Sequence, residues 1–206
     1  MTFLRALSFN LVFWIGTVIF GIAGLPFLLM PRRTAMRFGR FWAQAVLFAL
    51  KQIVGLDAEI RGRENIPAGG CLIAMKHQSM WDTLMLPPLL IDPAVVIKRE
   101  LQYVPFYGWY ATRAGSIFID RKGGSGALRG MVAAAKQAVA ARRAVVIFPQ
   151  GTRTSPGAPV SEAPYQPGIA ALYRELAVPL VPAAVNSGLY WGRRAFMERR
   201  GRIIAE

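Results

Sequence analysis

Residues 6–31 contain no charged side chain, and only Asn10, Thr17 and a few small residues interrupt the apolar run. A helix that crosses a bilayer needs about 20 such residues. A cleaved leader would have a shorter apolar stretch ending in a small-x-small site. The run instead ends in Pro31-Arg32-Arg33, which predicts a membrane helix, with Pro26 marking a kink or a turn back. Residues 35–54 place Phe38, Phe41, Trp42, Ala45, Leu47 and Phe48 at three- and four-residue spacing, with Arg37, Arg40 and Lys51 between them. That pattern predicts a basic amphipathic helix, suited either to the plane of a membrane interface or to packing on a neighbouring domain.

From residue 57 the period changes. Short, often β-branched runs at Leu72–Met75, Ala94–Ile97, Ser116–Ile119, Val145–Phe148 and Val181–Val185 predict strands, with Arg202–Ala205 a last candidate. Between them, Ser125–Arg142 lines up Leu128, Met131, Val132, Ala135 and Val139 on one helical face, with Ser125 placed as a cap. Gly168–Ala177 is a second helix, carrying Leu172 and Leu176. Strand–helix alternation predicts an α/β domain with a mostly parallel sheet flanked by helices. The expected organisation is N-terminal membrane-anchoring helices over residues 1–55 and the α/β domain over 56–206. Such sheets carry their chemistry at the carboxyl ends of the strands.

Composition sharpens this picture. The 206 residues are 54% hydrophobic and only 17% charged, yet the net charge is +14. Disorder is excluded by the hydrophobicity, and a disulfide scaffold by the single cysteine, Cys71. High hydrophobicity beside high positive charge fits a membrane-surface protein. Residues 1–56 hold six bases and no acid, and four of those bases, Arg32, Arg33, Arg37 and Arg40, follow the apolar run. Basic flanks favour the cytoplasmic side and anionic lipid. No nucleic-acid recognition module accompanies the high charge.

The only histidine, His77, directly follows the strand Leu72–Met75, and Asp82 lies five residues later. Imidazole is the usual general base near neutral pH, and a carboxylate on its second nitrogen orients it. One histidine and one cysteine leave no zinc constellation. After the strand Val145–Phe148 comes Pro149-Gln150-Gly151-Thr152-Arg153-Thr154. Its glycine permits close backbone approach, its hydroxyls donate, and its arginine can grip a phosphate bidentately. A third cluster, Gly115 to Arg121, again ends a strand with a cation. The plainer alternatives are a surface turn for the former and an Asp120–Arg121 ion pair for the latter.

The ordered blocks His77-x-x-x-x-Asp82, Gly115…Asp120-Arg121, Phe148-Pro149-Gln150-Gly151-Thr152-Arg153 and Val181-Pro182-Ala183 resemble the glycerolipid acyltransferase family. The resemblance implies transfer of a fatty acyl group from acyl-CoA or acyl carrier protein to the sn-2 hydroxyl of 1-acyl-sn-glycerol-3-phosphate, giving phosphatidic acid. It implies His77 as base and Asp82 as its orienting acid, with the substrate alcohol as nucleophile, so Cys71 is expected to be an ordinary buried strand residue. It also implies acceptor binding by Arg121, Gln150, Gly151, Thr152 and Arg153, with Lys98 at a further basic position. No cofactor beyond the acyl donor is implied. The partners implied are a lysophospholipid and membrane lipid. The place implied is the cytoplasmic face of a bacterial inner membrane. The family continues past the position of Glu206, so a longer protein is expected. Three positions depart from the pattern: Gln150 stands where Glu is usual, Lys76 where Asn is frequent, and Gln166 where bases are common. These departures open a second reading, another lysolipid acceptor such as a lyso-ornithine lipid. A third reading is a non-catalytic, membrane-anchored lipid-binding protein. The aromatic stretch Tyr103–Tyr110 and the second N-terminal helix are candidate walls for the acyl chain.

Overall fold

The computed structural model describes residues 2–193 and 195–206. The long apolar run folds as α1 (Thr2–Ala23) and stops there. Gly24 and Pro26 open a short 3₁₀ turn over Leu25–Leu28, and the chain returns as α2 (Arg32–Ala49), widening to a π-helix at Leu50–Val54. The remaining elements are β1 (Leu56–Ile60), β2 (Cys71–Met75), α3 (Trp81–Leu84), α4 (Leu86–Leu89), β3 (Ala94–Lys98), α5 (Tyr107–Arg113) and β4 (Ile117–Ile119). They continue with α6 (Gly124–Ala140), β5 (Ala144–Ile147), α7 (Pro167–Leu176), β6 (Leu180–Ala183) and β7 (Gly201–Ala205). α6 opens after Gly123 with no side-chain cap, so Ser125 lies inside the first turn and does not cap it.

Five strands form one sheet in the order β4-β3-β5-β2-β6, and every pairing is parallel. β1 and β7 make a separate parallel pair, joined to the end of the main sheet through an antiparallel bridge between Val185 and Ala205. Strand alternation sends consecutive side chains to opposite faces. Cys71, Ile73, Met75, Val146 and Phe148 face one hydrophobic cluster; Leu72, Val145 and Ile147 face the other. α6 and α7 cover the second face through Met131, Ala135, Ala138, Leu172 and Leu176. The first face is covered by the N-terminal helices and α3–α4, with Phe9, Phe13, Val46, Leu50, Trp81 and Met85.

The first two helices therefore share a core with the sheet. Asn10, the polar interruption in α1, donates to the Ala6 and Phe196 carbonyls and to the buried Glu198 carboxylate. At the other end of α1, Gly21 lets Phe106 approach so closely that a Cβ there would sit 2.6 Å from its ring, and Tyr110 Oη donates to the Gly21 carbonyl. The outward face of α1 remains apolar and exposed, with Leu4, Leu11, Trp14, Ile15, Val18 and Ile19.

All carboxyl ends of the main sheet lie on one edge. The opposite edge is tied by Arg143, whose guanidinium donates to Asp92 and to the carbonyls of Pro93, Ala114 and Gly115. Asp92 is also reached by Arg32 of α2 at 2.6 Å. This arginine is structural and leaves the carboxyl edge for chemistry.

Candidate active site

β2 and β5 are neighbours at the centre of the sheet, so the loops after them emerge side by side. His77 leaves β2 two residues past Met75, and Asp82 sits in the first turn of α3, as the strand-to-helix spacing predicts. His77 Nδ1 lies 2.8 Å from Asp82 Oδ2. The same oxygen accepts the backbone N–H groups of Gln78 at 2.7 Å and Ser79 at 2.8 Å. Asp82 is completely buried, whereas 16% of the His77 side chain remains open. An ionised carboxylate only accepts, so the proton of the neutral imidazole belongs on Nδ1 and the Nε2 lone pair is left for an incoming hydroxyl. The ring is held flat by Phe148, with centroids 4.1 Å apart and planes at 24°.

The second loop is fastened to the first. Thr154 N–H donates to the His77 carbonyl at 2.8 Å, and its hydroxyl donates to the same oxygen at 3.3 Å. Gly151 adopts φ +68°, a left-handed conformation that favours glycine. The Arg121 guanidinium lies directly over it: a Cβ on Gly151 would stand 3.3 Å from Arg121 Cζ. Arg121 therefore leaves β4 and crosses the end of β3 to reach the loop after β5. Asp120 does not pair with Arg121; its carboxylate accepts the Lys122 N–H and faces Arg99 at 3.8 Å. Desolvation lowers the pKa of Arg121, with Glu100 acting in the opposite sense.

Thr152 and Arg153 follow in the same loop, both half-buried. Gln150 is buried, and its Oε1 has no hydrogen-bond partner among the described residues. Lys98 ends β3 on the same edge, exposed and paired with Glu100 at 3.1 Å. Cys71 is a buried strand residue, and burial raises its thiol pKa. The aromatic stretch after β3 is used to dock α1: Phe106 meets Gly21 and stacks edge-on with Trp109 at 5.4 Å.

One contact had no signal in the sequence pattern. Ser187 Oγ donates to Asp82 Oδ1 at 2.5 Å, across 105 residues of chain. A lone serine in a loop carries no spacing motif, so only the fold brings it to the carboxylate.

The chain is similar to known acyltransferases in sequence and in fold. The family model described as Acyltransferase matches residues 57–186. A 1-acyl-sn-glycerol-3-phosphate acyltransferase of Pseudomonas aeruginosa is 34% identical over 98% of this chain and 76% of its own length. A protein of the same name from Saccharomyces cerevisiae is 31% identical over 71% of this chain and 49% of its own. The crystal structure of the 1-acyl-sn-glycerophosphate acyltransferase PlsC from Thermotoga maritima shares the fold, with a TM-score of 0.77 at 20% identity, over 99% of this chain and 82% of that one.

Proposed function

The chain belongs to the acyltransferase family, and from that premise we propose that it acylates the sn-2 hydroxyl of 1-acyl-sn-glycerol-3-phosphate to form phosphatidic acid. It is an O-acyltransferase, which removes the non-catalytic reading. The observation that carries the mechanism is the His77–Asp82 pair at the carboxyl edge of the sheet, beside a loop over which Arg121 lies.

In this reading His77 Nε2 takes the hydroxyl proton as the alcohol oxygen attacks the thioester carbonyl. Asp82 holds Nδ1–H and stabilises the imidazolium that forms. The tetrahedral intermediate collapses by breaking the carbon–sulfur bond, and the imidazolium returns its proton to the leaving thiolate. Acyl-CoA or acyl carrier protein supplies the acyl group, and no other cofactor enters. Arg121 and Arg153 hold the acceptor phosphate, Gly151 and Thr152 shape its pocket, and Lys98 adds long-range attraction.

The membrane reading is supported by the apolar outer face of α1 and the basic residues beyond it. α1 touches the folded domain near its start, through Phe3 on Phe196, and near its end, through Gly21 on Phe106. A helix fastened at both ends lies along the domain, which favours seating in one leaflet; the basic flank favours the cytoplasmic face of a bacterial inner membrane.

Gln150 favours one second reading. Its unpartnered carboxamide oxygen calls for a donor, and the acceptor that supplies it need not be a glycerol phosphate. Purified protein given each acyl donor with each lysolipid separates the two. Phosphatidate formation is the expected outcome; acylation of a phosphate-free lysolipid alone would replace the first reading with the second.

A further inference from the structure

A buried carboxylate that steers a base must itself be held in plane. Three donors meet Asp82 Oδ2, and all come from its own loop: His77 Nδ1, Gln78 N–H and Ser79 N–H. Oδ1 accepts from a single described group, the Ser187 hydroxyl, at 2.5 Å. Rotation about the Cβ–Cγ bond moves both oxygens, and the donors on Oδ2 resist it from one side only. Pinning Oδ1 from the far side fixes the plane and hence the direction from which Oδ2 meets the imidazole.

Ser187 is itself held. It is fully buried, and its carbonyl accepts the N–H groups of Tyr190 and Trp191 at 3.1 and 2.9 Å. The next residue, Gly188, donates its N–H to the buried Gln78 side chain at 3.2 Å. The turn is thus tied to the His77–Asp82 loop at two points. Trp191, at the end of that turn, is buried edge-on against Phe9 and Phe13 of α1, at 5.6 and 6.3 Å.

We propose that Ser187 is a positioning residue for acyl transfer, fixing the Asp82 carboxylate from the side opposite His77, and that α1 sets its place through Trp191. The proposal rests on the reading of His77 as the base. The serine is no nucleophile in this role: its proton is committed to Asp82, and the side chain is closed to substrate. The carboxylate is then held by its own loop and by a turn 105 residues later that packs on the apolar helix α1.

The chain has one histidine, so a sample labelled with ¹⁵N-histidine gives one imidazole signal set, and the Nδ1 proton reports the bond to Asp82. The test compares Ser187→Ala, Trp191→Phe and His77→Ala with the parent protein, all as the full chain in detergent. Ser187→Ala is expected to lower kcat about tenfold, the worth of one hydrogen bond to a buried charge. KM for donor and lysolipid stays within twofold, roughly the scatter of such parameters, and the Nδ1 proton resonance moves. Trp191→Phe leaves the serine in place and is expected to move the same resonance in the same direction with a smaller fall in kcat. It also carries the test if Ser187→Ala does not fold. An unmoved resonance with unchanged kcat in Ser187→Ala overturns the positioning role. An unmoved resonance in Trp191→Phe overturns the part assigned to α1. His77→Ala that keeps its activity overturns the base reading instead, whatever the serine variant does.

Discussion

Gln150 is the residue at which stability and function pull apart most clearly. A buried carboxamide oxygen without a partner costs about 1–3 kcal/mol of desolvation. If it awaits an acceptor hydroxyl, replacing it by an apolar side chain of similar size removes both the cost and the recognition. Gln150→Leu is therefore expected to raise the melting temperature, or leave it unchanged, while raising KM for the lysolipid about tenfold. Thermal unfolding and steady-state kinetics on the same preparation check both halves. An unchanged KM would remove Gln150 from the acceptor site. The arginines at this scale are equally unlike one another. Arg121 lies over a glycine at the carboxyl edge, whereas Arg143 is consumed by Asp92 and three carbonyls on the opposite edge.

Among the elements, α1 is the least ordinary, and one of its docking contacts is Asn10 on the buried Glu198 carboxylate. Burial raises the pKa of Glu198, with the Asn10 amide lowering it in part. The folded state thus binds the Glu198 proton more tightly than the unfolded chain. The stability this gives is complete below the unfolded pKa and is lost as pH rises through the raised, folded one. Glu198→Gln keeps the shape without the titration. Its melting temperature is expected to gain on the parent's as pH rises above the ordinary carboxylate range. Parallel pH curves for the two proteins would contradict that role. The same elements mark how far the sequence could be read. The main-sheet strands and the helices α6 and α7 follow directly from their apolar periods. β1 was missed, because Leu-Asp-Ala-Glu-Ile offers two acids and an alanine in five positions; its acids are matched by Lys51 on Asp57 and by Arg61 and Arg202 on Glu59. Hydropathy also cannot say whether an apolar side chain faces lipid or protein, so the division of α1 into a domain face and an outer face needed the fold.

At the scale of the molecule, charge and apolar surface are arranged together. The outer face of α1 is apolar, and its first turns lie near Arg5, Arg199 and Arg200, which line one cavity of about 390 Å³ with Val54. With a net charge of +14, electrostatic attraction should add about 1 kcal/mol for each base near an anionic surface. Cosedimentation is expected to show tighter binding to phosphatidylglycerol-containing vesicles than to phosphatidylcholine alone. Salt should weaken the first and leave an apolar remainder. Equal binding to both lipids would contradict the electrostatic half. The candidate pair was legible because its spacing follows the strand-to-helix turn: His77 and Asp82 meet as the five-residue interval predicts. The Arg121–Gly151 approach and the Ser187–Asp82 bond were not, since each joins loops that only the parallel strand order makes neighbours.

In the proposed reaction one imidazole performs the proton transfer in acylation of a lysolipid. Formation of phosphatidate from oleoyl-CoA and 1-oleoyl lysophosphatidate, measured for the parent protein and for folded His77→Ala, tests it most directly. A loss of about 10²–10⁴ in rate is predicted, the usual contribution of a positioned general base; a variant as active as its parent would contradict it.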